Sequence, residues 1–177
     1  MFNDIHLGDW GMPIAQIICY INENKIDLED IKIEDLEERY PKASKLYQQD
    51  KEFKSFAQNI NKELNENKDD LIKNWEFLKE ISVEGIKETL SLLGHNFDLW
   101  MGESDVNNLI PKMIDDLKEN EKISLDDGAY ISNLETDPRI LITKSDGSYL
   151  YLTTDLATVL NRKKEYKVDK TLYIVDK

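Results

Sequence analysis

The chain has 177 residues, with 36 acidic against 23 basic side chains and a formal charge of −13. At 20.7 kDa, with a mean hydropathy of −0.58 and a pI near 4.6, it has the make-up of one folded domain rather than of a disordered or membrane-embedded chain. The acidic excess repels a phosphate backbone and excludes a general basic grip on nucleic acid. The single Cys19 forms no internal disulfide, and one cysteine with two histidines builds no Cys/His zinc cage. A reducing, cytoplasmic setting is expected, and the opening residues, with Asp4, His6 and Asp9, lack the basic-then-apolar order of a signal peptide.

Ile14, Ile17, Ile18 and Ile21 recur at i, i+3, i+4 and i+7, which predicts a helix over 12–22 with Pro13 in its first turn. From residue 22 to 39, eight acidic and three basic residues surround a few apolar ones, and the pattern reads as a connector followed by a helix from residue 33. That helix is expected to end near Pro41, because proline pushes its predecessor out of helical geometry. A second helix is predicted over 41–65, with Leu46, Phe53, Phe56, Ile60 and Leu64 inward. A third is predicted over 69–93, with Leu71, Trp75, Leu78, Ile81, Val83, Ile86 and Leu90 inward and Gly94 as its C-cap.

Residues 97–101 read as a short aromatic-rich strand. Ser104 begins a helix through Leu109, Ile110, Met113, Ile114 and Leu117, in which Pro111 predicts a kink or a late start. Strand-like runs at 122–125, 129–133 and 139–143 are separated by Asp126-Asp127-Gly128 and Asp146-Gly147 turns. A last helix over 154–166 leads to a buried strand over 171–175, the helix-then-strand order of a parallel α/β sheet. The chain contains no internal repeat of solenoid length.

The loop Gly8-Asp9-Trp10-Gly11 precedes a helix and offers backbone N–H groups to an anion; equally, its glycines make a turn while Trp10 packs on the core. His6 beside it is either a phosphate or adenine contact or a packed side chain, and His95 reads as capping or surface. A helix starting at Thr153 or Thr154 puts Asp155 in its first turn, where the macrodipole favours the carboxylate and a guanidinium or ammonium ligand would be matched. Tyr151, four residues earlier, offers its hydroxyl and ring face to the same cation. The structural alternative makes Asp155 a first-turn charge and Thr154 a cap. Asp98 and Glu103 read either as an acid/base pair or as solvated loop charges. No calcium loop, histidine triad, Gly-x-Ser-x-Gly elbow or Walker-type loop occurs, so no metal site is expected and catalytic residues stay unassigned.

The segments His6-Leu7-Gly8-Asp9-Trp10-Gly11, Tyr40-Pro41-Lys42-Ala43-Ser44-Lys45, Phe97-Asp98-Leu99-Trp100-Met101-Gly102-Glu103-Ser104, Lys144-Ser145-Asp146-Gly147-Ser148, Leu150-Tyr151-Leu152-Thr153-Thr154-Asp155-Leu156-Ala157 and Tyr173-Ile174-Val175-Asp176-Lys177 follow one another here. In order and spacing the set resembles the arginyl-tRNA synthetase family. The resemblance implies an α/β fold, a partial Rossmann-like catalytic core with a large helical insertion, in an enzyme that activates arginine with ATP and passes it to tRNA. Residues 1–22 and 95–177 would belong to the core and 23–94 to the insertion.

Carried over residue by residue, the resemblance puts Tyr151 and Asp155 in the arginine pocket, with Asp155 against the guanidinium. His6, Gly8, Asp9, Trp10 and Gly11 would belong to the active-site loop. Many relatives have Gln where this chain has Pro13, and Ala where it has Leu152. The implied partners are L-arginine, ATP with Mg2+, and arginine tRNA, with no membrane. Family members also carry an upstream His-x-Gly-His segment that contacts ATP, a downstream Lys-Met-Ser-Lys-like loop and an anticodon-binding domain, and none of these occurs in the 177 residues. The expectation is a middle portion of the enzyme that does not activate arginine alone. A free-standing arginine-binding or adaptor module is the alternative, and a purely structural acidic helical module the third reading.

Overall fold

The computed structural model describes residues 1–136, 138–145 and 147–174, which divide into two units, Met1–Trp100 and Met101–Lys177. The first contains β1 (Asp4–Leu7), α1 (Met12–Glu23), a 3-10 turn (Leu28–Asp30), α2 (Ile33–Gln49), α3 (Lys51–Asn65) and α4 (Asp69–Leu92), and β2 (Leu99–Gly102) begins at its end. Helix α1 is its centre. Ile14, Ile17, Ile18 and Ile21 are all buried as their spacing predicts, and so are Ala15 and Cys19 on another side of the helix. The reason is that α2, α3 and α4 all pack on α1. At about 1.5–3 kcal/mol per fully buried branched side chain, an upper estimate, that isoleucine stripe is a leading contribution to the unit's stability.

The expected helix end near Pro41 is not found: α2 runs through Pro41 to Gln49. An interior proline costs about 3 kcal/mol in lost hydrogen bonding and ring clash. Burial of Leu36 before it and of Ala43 after it keeps both halves on the same neighbours and offsets that cost. The chain breaks instead at Asp50, whose backbone is extended (φ −112°, ψ 118°). Its carboxylate accepts hydrogen bonds from the N–H groups of Glu52 at 2.8 Å and Phe53 at 3.1 Å, so the next helix starts at Lys51, not at residue 41. Phe56, expected inward, is 50% exposed; the buried face is Phe53, Ala57 and Leu64, where small Ala57 permits close approach to Cys19 and Ala43. Ile86 likewise lies near the surface, while Leu78 is fully buried.

Gly94 does stop α4 as predicted. Its φ is +72°, its N–H donates to the Ser91 carbonyl at 3.0 Å, and the N–H of His95 donates to Leu90 at 2.9 Å, the paired bonds of a Schellman ending. Exposed His95 thus serves a capping and surface role. Near the other end of the same unit, the Asn3 carbonyl accepts from the N–H groups of Asp98 and Leu99, and the Asp98 carboxylate accepts from the Asn3 N–H at 2.8 Å. Asp98 therefore holds backbone.

In the second unit a 3-10 stretch (Glu103–Leu109) leads into α5 (Ile110–Glu119), with Pro111 in its first turn, which is the late start predicted. Strands β3 (Ile123–Asp126) and β4 (Ala129–Ser132) pair antiparallel from Ile123↔Ser132 to Asp126↔Ala129. Asp127 and Gly128 between them both have positive φ, 46° and 80°, the two-residue hairpin geometry that an Asp-Gly pair favours. The run at 139–143 forms no strand, only the single bridges Ile131↔Leu141 and Thr143↔Tyr149. Asp146 of the second predicted turn lies outside the described residues. Val106, Ile110, Met113, Ile114, Ile123, Ile142 and Ala157 form the core beneath α6 (Tyr151–Tyr166).

The buried strand expected at 171–175 is also corrected. Residues 171–174 carry no regular structure, with Leu172 73% and Ile174 98% exposed, and Val175 lies outside the described residues. A strand needs a neighbouring strand for its N–H and C=O groups, and the sheets among the described residues are β1 with β2 and β3 with β4. The described residues form a helix-rich structure whose sheets are two-stranded.

Candidate functional site

The loop after β1 is held from beneath. The Asp9 side chain is 6% exposed, and Lys79 on α4 reaches it with Nζ 2.6 Å from Oδ2. One turn earlier on α4, Trp75 donates its indole N–H to the Asp9 carbonyl at 2.6 Å. Trp10 lies edge-on to Trp75, with ring centroids 5.0 Å apart and planes at 80°, and its own indole N–H donates to Asn65 Oδ1 at 3.0 Å. The Lys79 ammonium also stands 5.1 Å from the Trp75 ring centre, within cation–π range. Gly11 caps α1 with φ +93°, a conformation that favours glycine, and its carbonyl accepts the Ala15 N–H. Gly8 stays exposed. Trp10 therefore packs as the structural reading required. His6 on β1 is half-buried, and both its ring nitrogens are shut from solvent without a hydrogen-bond partner.

Beneath Leu7, Gly8 and Asp9 lies a cavity of about 130 Å³, bounded also by Tyr40 and Lys79. Burial pushes the Tyr40 phenol up to about 12. Burial, and secondarily the Glu23 carboxylate, raises the Cys19 thiol to about 11, so that cysteine is an inert core group.

The second group of predicted site residues lies in the other unit, on α6. Its start differs from expectation: the helix begins at Tyr151 after an extended Leu150 (φ −109°, ψ 164°). The reason is local anchoring. The Leu150 carbonyl accepts the Thr153 N–H at 2.9 Å and the Thr154 N–H at 3.2 Å, and the buried Thr153 hydroxyl donates to the Ile142 carbonyl. Thr154 is consequently no cap, and its hydroxyl donates back to the Tyr151 carbonyl at 2.8 Å. Asp155 falls in the second turn, where the macrodipole has largely faded.

Tyr151 and Asp155 remain i and i+4, neighbours on one face of the helix, with Tyr151 77% exposed and Asp155 half-buried. Neighbours of these two types can offer a carboxylate and an aromatic face to one cation, which is what a guanidinium requires. Glu103 opens the 3-10 stretch of this unit, whereas Asp98 belongs to the other. The sequence pattern marks Trp75 only as an inward-facing residue of its helix, and it does not mark Lys79 or Asn65. The signal, a lysine one turn after a tryptophan, is visible, but Trp75 stands 66 residues from its partner Asp9.

Among the described residues no three His, Cys, Asp or Glu side chains gather as a metal cage, and no helix is long and apolar enough to cross a membrane. The sequence model of the family described as tRNA synthetases class I (R), catalytic domain, matches residues 2–177. The chain is 35% identical to an arginine–tRNA ligase of Alkaliphilus oremlandii, aligning over all of this chain and 34% of that protein. It is 34% identical to one of Francisella tularensis subsp. holarctica, over all of this chain and 33% of the other. It spans about a third of the length of these curated relatives. Among solved structures it resembles the arginyl-tRNA synthetase of Plasmodium falciparum, with a TM-score of 0.69 and 24% identity over 91% of this chain and 27% of that one. A putative arginyl-tRNA synthetase from Campylobacter jejuni follows at a TM-score of 0.53 and 14% identity, over 92% and 36% of the two chains; both likenesses concern the fold. With nearly every residue inside the matched region, the chain belongs to the class I (R) tRNA synthetase catalytic-domain family.

Proposed function

We propose that these 177 residues act as the middle of the catalytic domain of an arginine–tRNA ligase, in a protein of the relatives' length, acting in the cytoplasm. Residues 1–22 and 95–177 would contribute to a Rossmann-like core and 23–94 would be its helical insertion. The observation that carries the reading is the Tyr151 and Asp155 pair, one turn apart on α6, in a chain matched by the family over residues 2–177.

In this reading Asp155 receives the arginine guanidinium in a charge-assisted, two-pronged hydrogen bond, which a neutral urea isostere cannot repeat. Tyr151 closes over the same cation with its ring face. The arginine carboxylate then attacks the α-phosphate of ATP, forming the acyl phosphate bond while pyrophosphate leaves with the electrons of the broken bond. Tethering and charge stabilisation carry such a step, with no covalent enzyme intermediate. His6, Gly8, Asp9, Trp10 and Gly11 would line the site as its loop. The described residues do not fit a protein-held Mg2+ site, so no step runs through one; Mg2+ would arrive on the phosphates of ATP. Transfer to arginine tRNA follows in the longer protein.

The test is arginine-dependent exchange of pyrophosphate into ATP, measured on the ligase that carries these residues and on the 177-residue chain. Exchange by the longer protein with arginine, and none by the chain alone, is expected. Exchange that prefers another amino acid in the longer protein would overturn the reading, and exchange by the short chain would overturn its inactivity.

A further inference from the structure

The Gly8–Gly11 loop rests over a cavity of about 130 Å³ that touches Leu7, Gly8 and Asp9, so the packing of Trp10 on the core does not by itself fill the space under Gly8 and Asp9. What reaches it instead are side chains of α3 and α4. Lys79 pairs with the buried Asp9 carboxylate at 2.6 Å, Trp75 donates to the Asp9 carbonyl at 2.6 Å, and Asn65 accepts from Trp10 at 3.0 Å. The Trp10–Trp75 edge contact completes the set. Charged and directional contacts of this kind define a position where apolar contacts over a void do not.

We infer that Lys79 and Trp75 are positioning residues for arginine activation, which set the Gly8–Gly11 loop through Asp9 and so make α4 a working part of the catalytic domain. This rests on the proposed function, in which the loop borders the reacting groups. Asp9, on this account, acts as a strut with its carboxylate directed to Lys79. A loop displaced by as little as about 1 Å can lower turnover on the order of 100-fold while the arginine pocket on α6 is untouched. The effect therefore belongs in kcat, with the KM for arginine nearly unchanged.

The test compares Lys79→Met and Lys79→Arg in the ligase carrying this chain, by pyrophosphate exchange, with the near-ultraviolet circular dichroism of the same variants in the 177-residue chain. The Trp10–Trp75 pair gives a coupled tryptophan signal that reports loop position. Lys79→Met is expected to weaken that signal and to lower kcat by roughly 10-fold to 100-fold, and Lys79→Arg to restore both in large part. Melting curves identify the folded fraction, and rates are compared per folded protein. An unchanged kcat with a lowered melting temperature would reduce Lys79 to a structural residue and overturn the inference. If the unsubstituted ligase shows no arginine-dependent exchange, the functional reading fails, whereas a normal tryptophan signal in Lys79→Met overturns the strut whatever the reaction is.

Discussion

The hydroxyl of Thr153 donates to the carbonyl of Ile142, tying the second residue after the start of α6 to the segment that bridges β4. Both residues are buried, Thr153 completely and Ile142 to 3% exposure. This bond decides where α6 begins, and hence that Tyr151 is helical and Asp155 sits a full turn behind it.

Thr153→Val keeps the shape and removes the donor, leaving the Ile142 carbonyl unsatisfied in the core of its unit. A loss of about 1–3 kcal/mol is expected, read from urea unfolding, with Thr153→Ser retaining most of the stability. Equal midpoints for the wild type and the valine variant would show that the bond contributes nothing.

Asp50 caps α3 through two backbone N–H groups. Asp50→Ala should cost about 1 kcal/mol, within roughly 0.5–2, and Asp50→Asn much less, since the amide oxygen still accepts. Denaturant midpoints of the two variants check the order, and alanine and asparagine variants of equal stability would contradict it.

Tyr40 makes the fold sensitive to alkali. Its folded value lies near 12 against an ordinary 10 because burial disfavours the phenolate. The folded state thus holds the proton more tightly than the unfolded one. The corresponding stability is fully present below pH 10 and lost as the pH rises toward 12, amounting to roughly 3 kcal/mol at about 1.4 kcal/mol per pH unit. Cys19, raised from 9.0 to about 11, adds a loss of the same sign over a lower window. Tyr40→Phe should flatten the upper part of the stability profile, and a profile as steep as that of the wild type would assign the loss to other groups.

Asp155→Asn should weaken arginine binding by roughly 10-fold to 150-fold, the range of a lost charged hydrogen bond, while discrimination against citrulline shrinks. Calorimetric titration with both ligands, on the ligase carrying this chain, is the measurement. Unaltered arginine affinity would remove Asp155 from the pocket.

Some of this protein was settled by residues close to one another in the chain. The isoleucine stripe of α1, the Gly94 stop of α4 and the Asp127-Gly128 hairpin turn each depend on groups within a few residues, so spacing and residue type suffice to find them. The family motifs are legible for the same reason, as ordered words in the chain. Tertiary structure decided the rest. Helix α2 passes through Pro41 because neighbouring helices bury Leu36 and Ala43 on either side of it, and no local preference registers that compensation. The start of α6 depends on Ile142, 11 residues before Thr153, and the inward turn of Asp9 depends on Lys79 on α4, with α1, α2 and α3 intervening in the chain. A polar side chain reveals its role only with its partner beside it, since the free energy belongs to the pair, and folding alone brings such partners together.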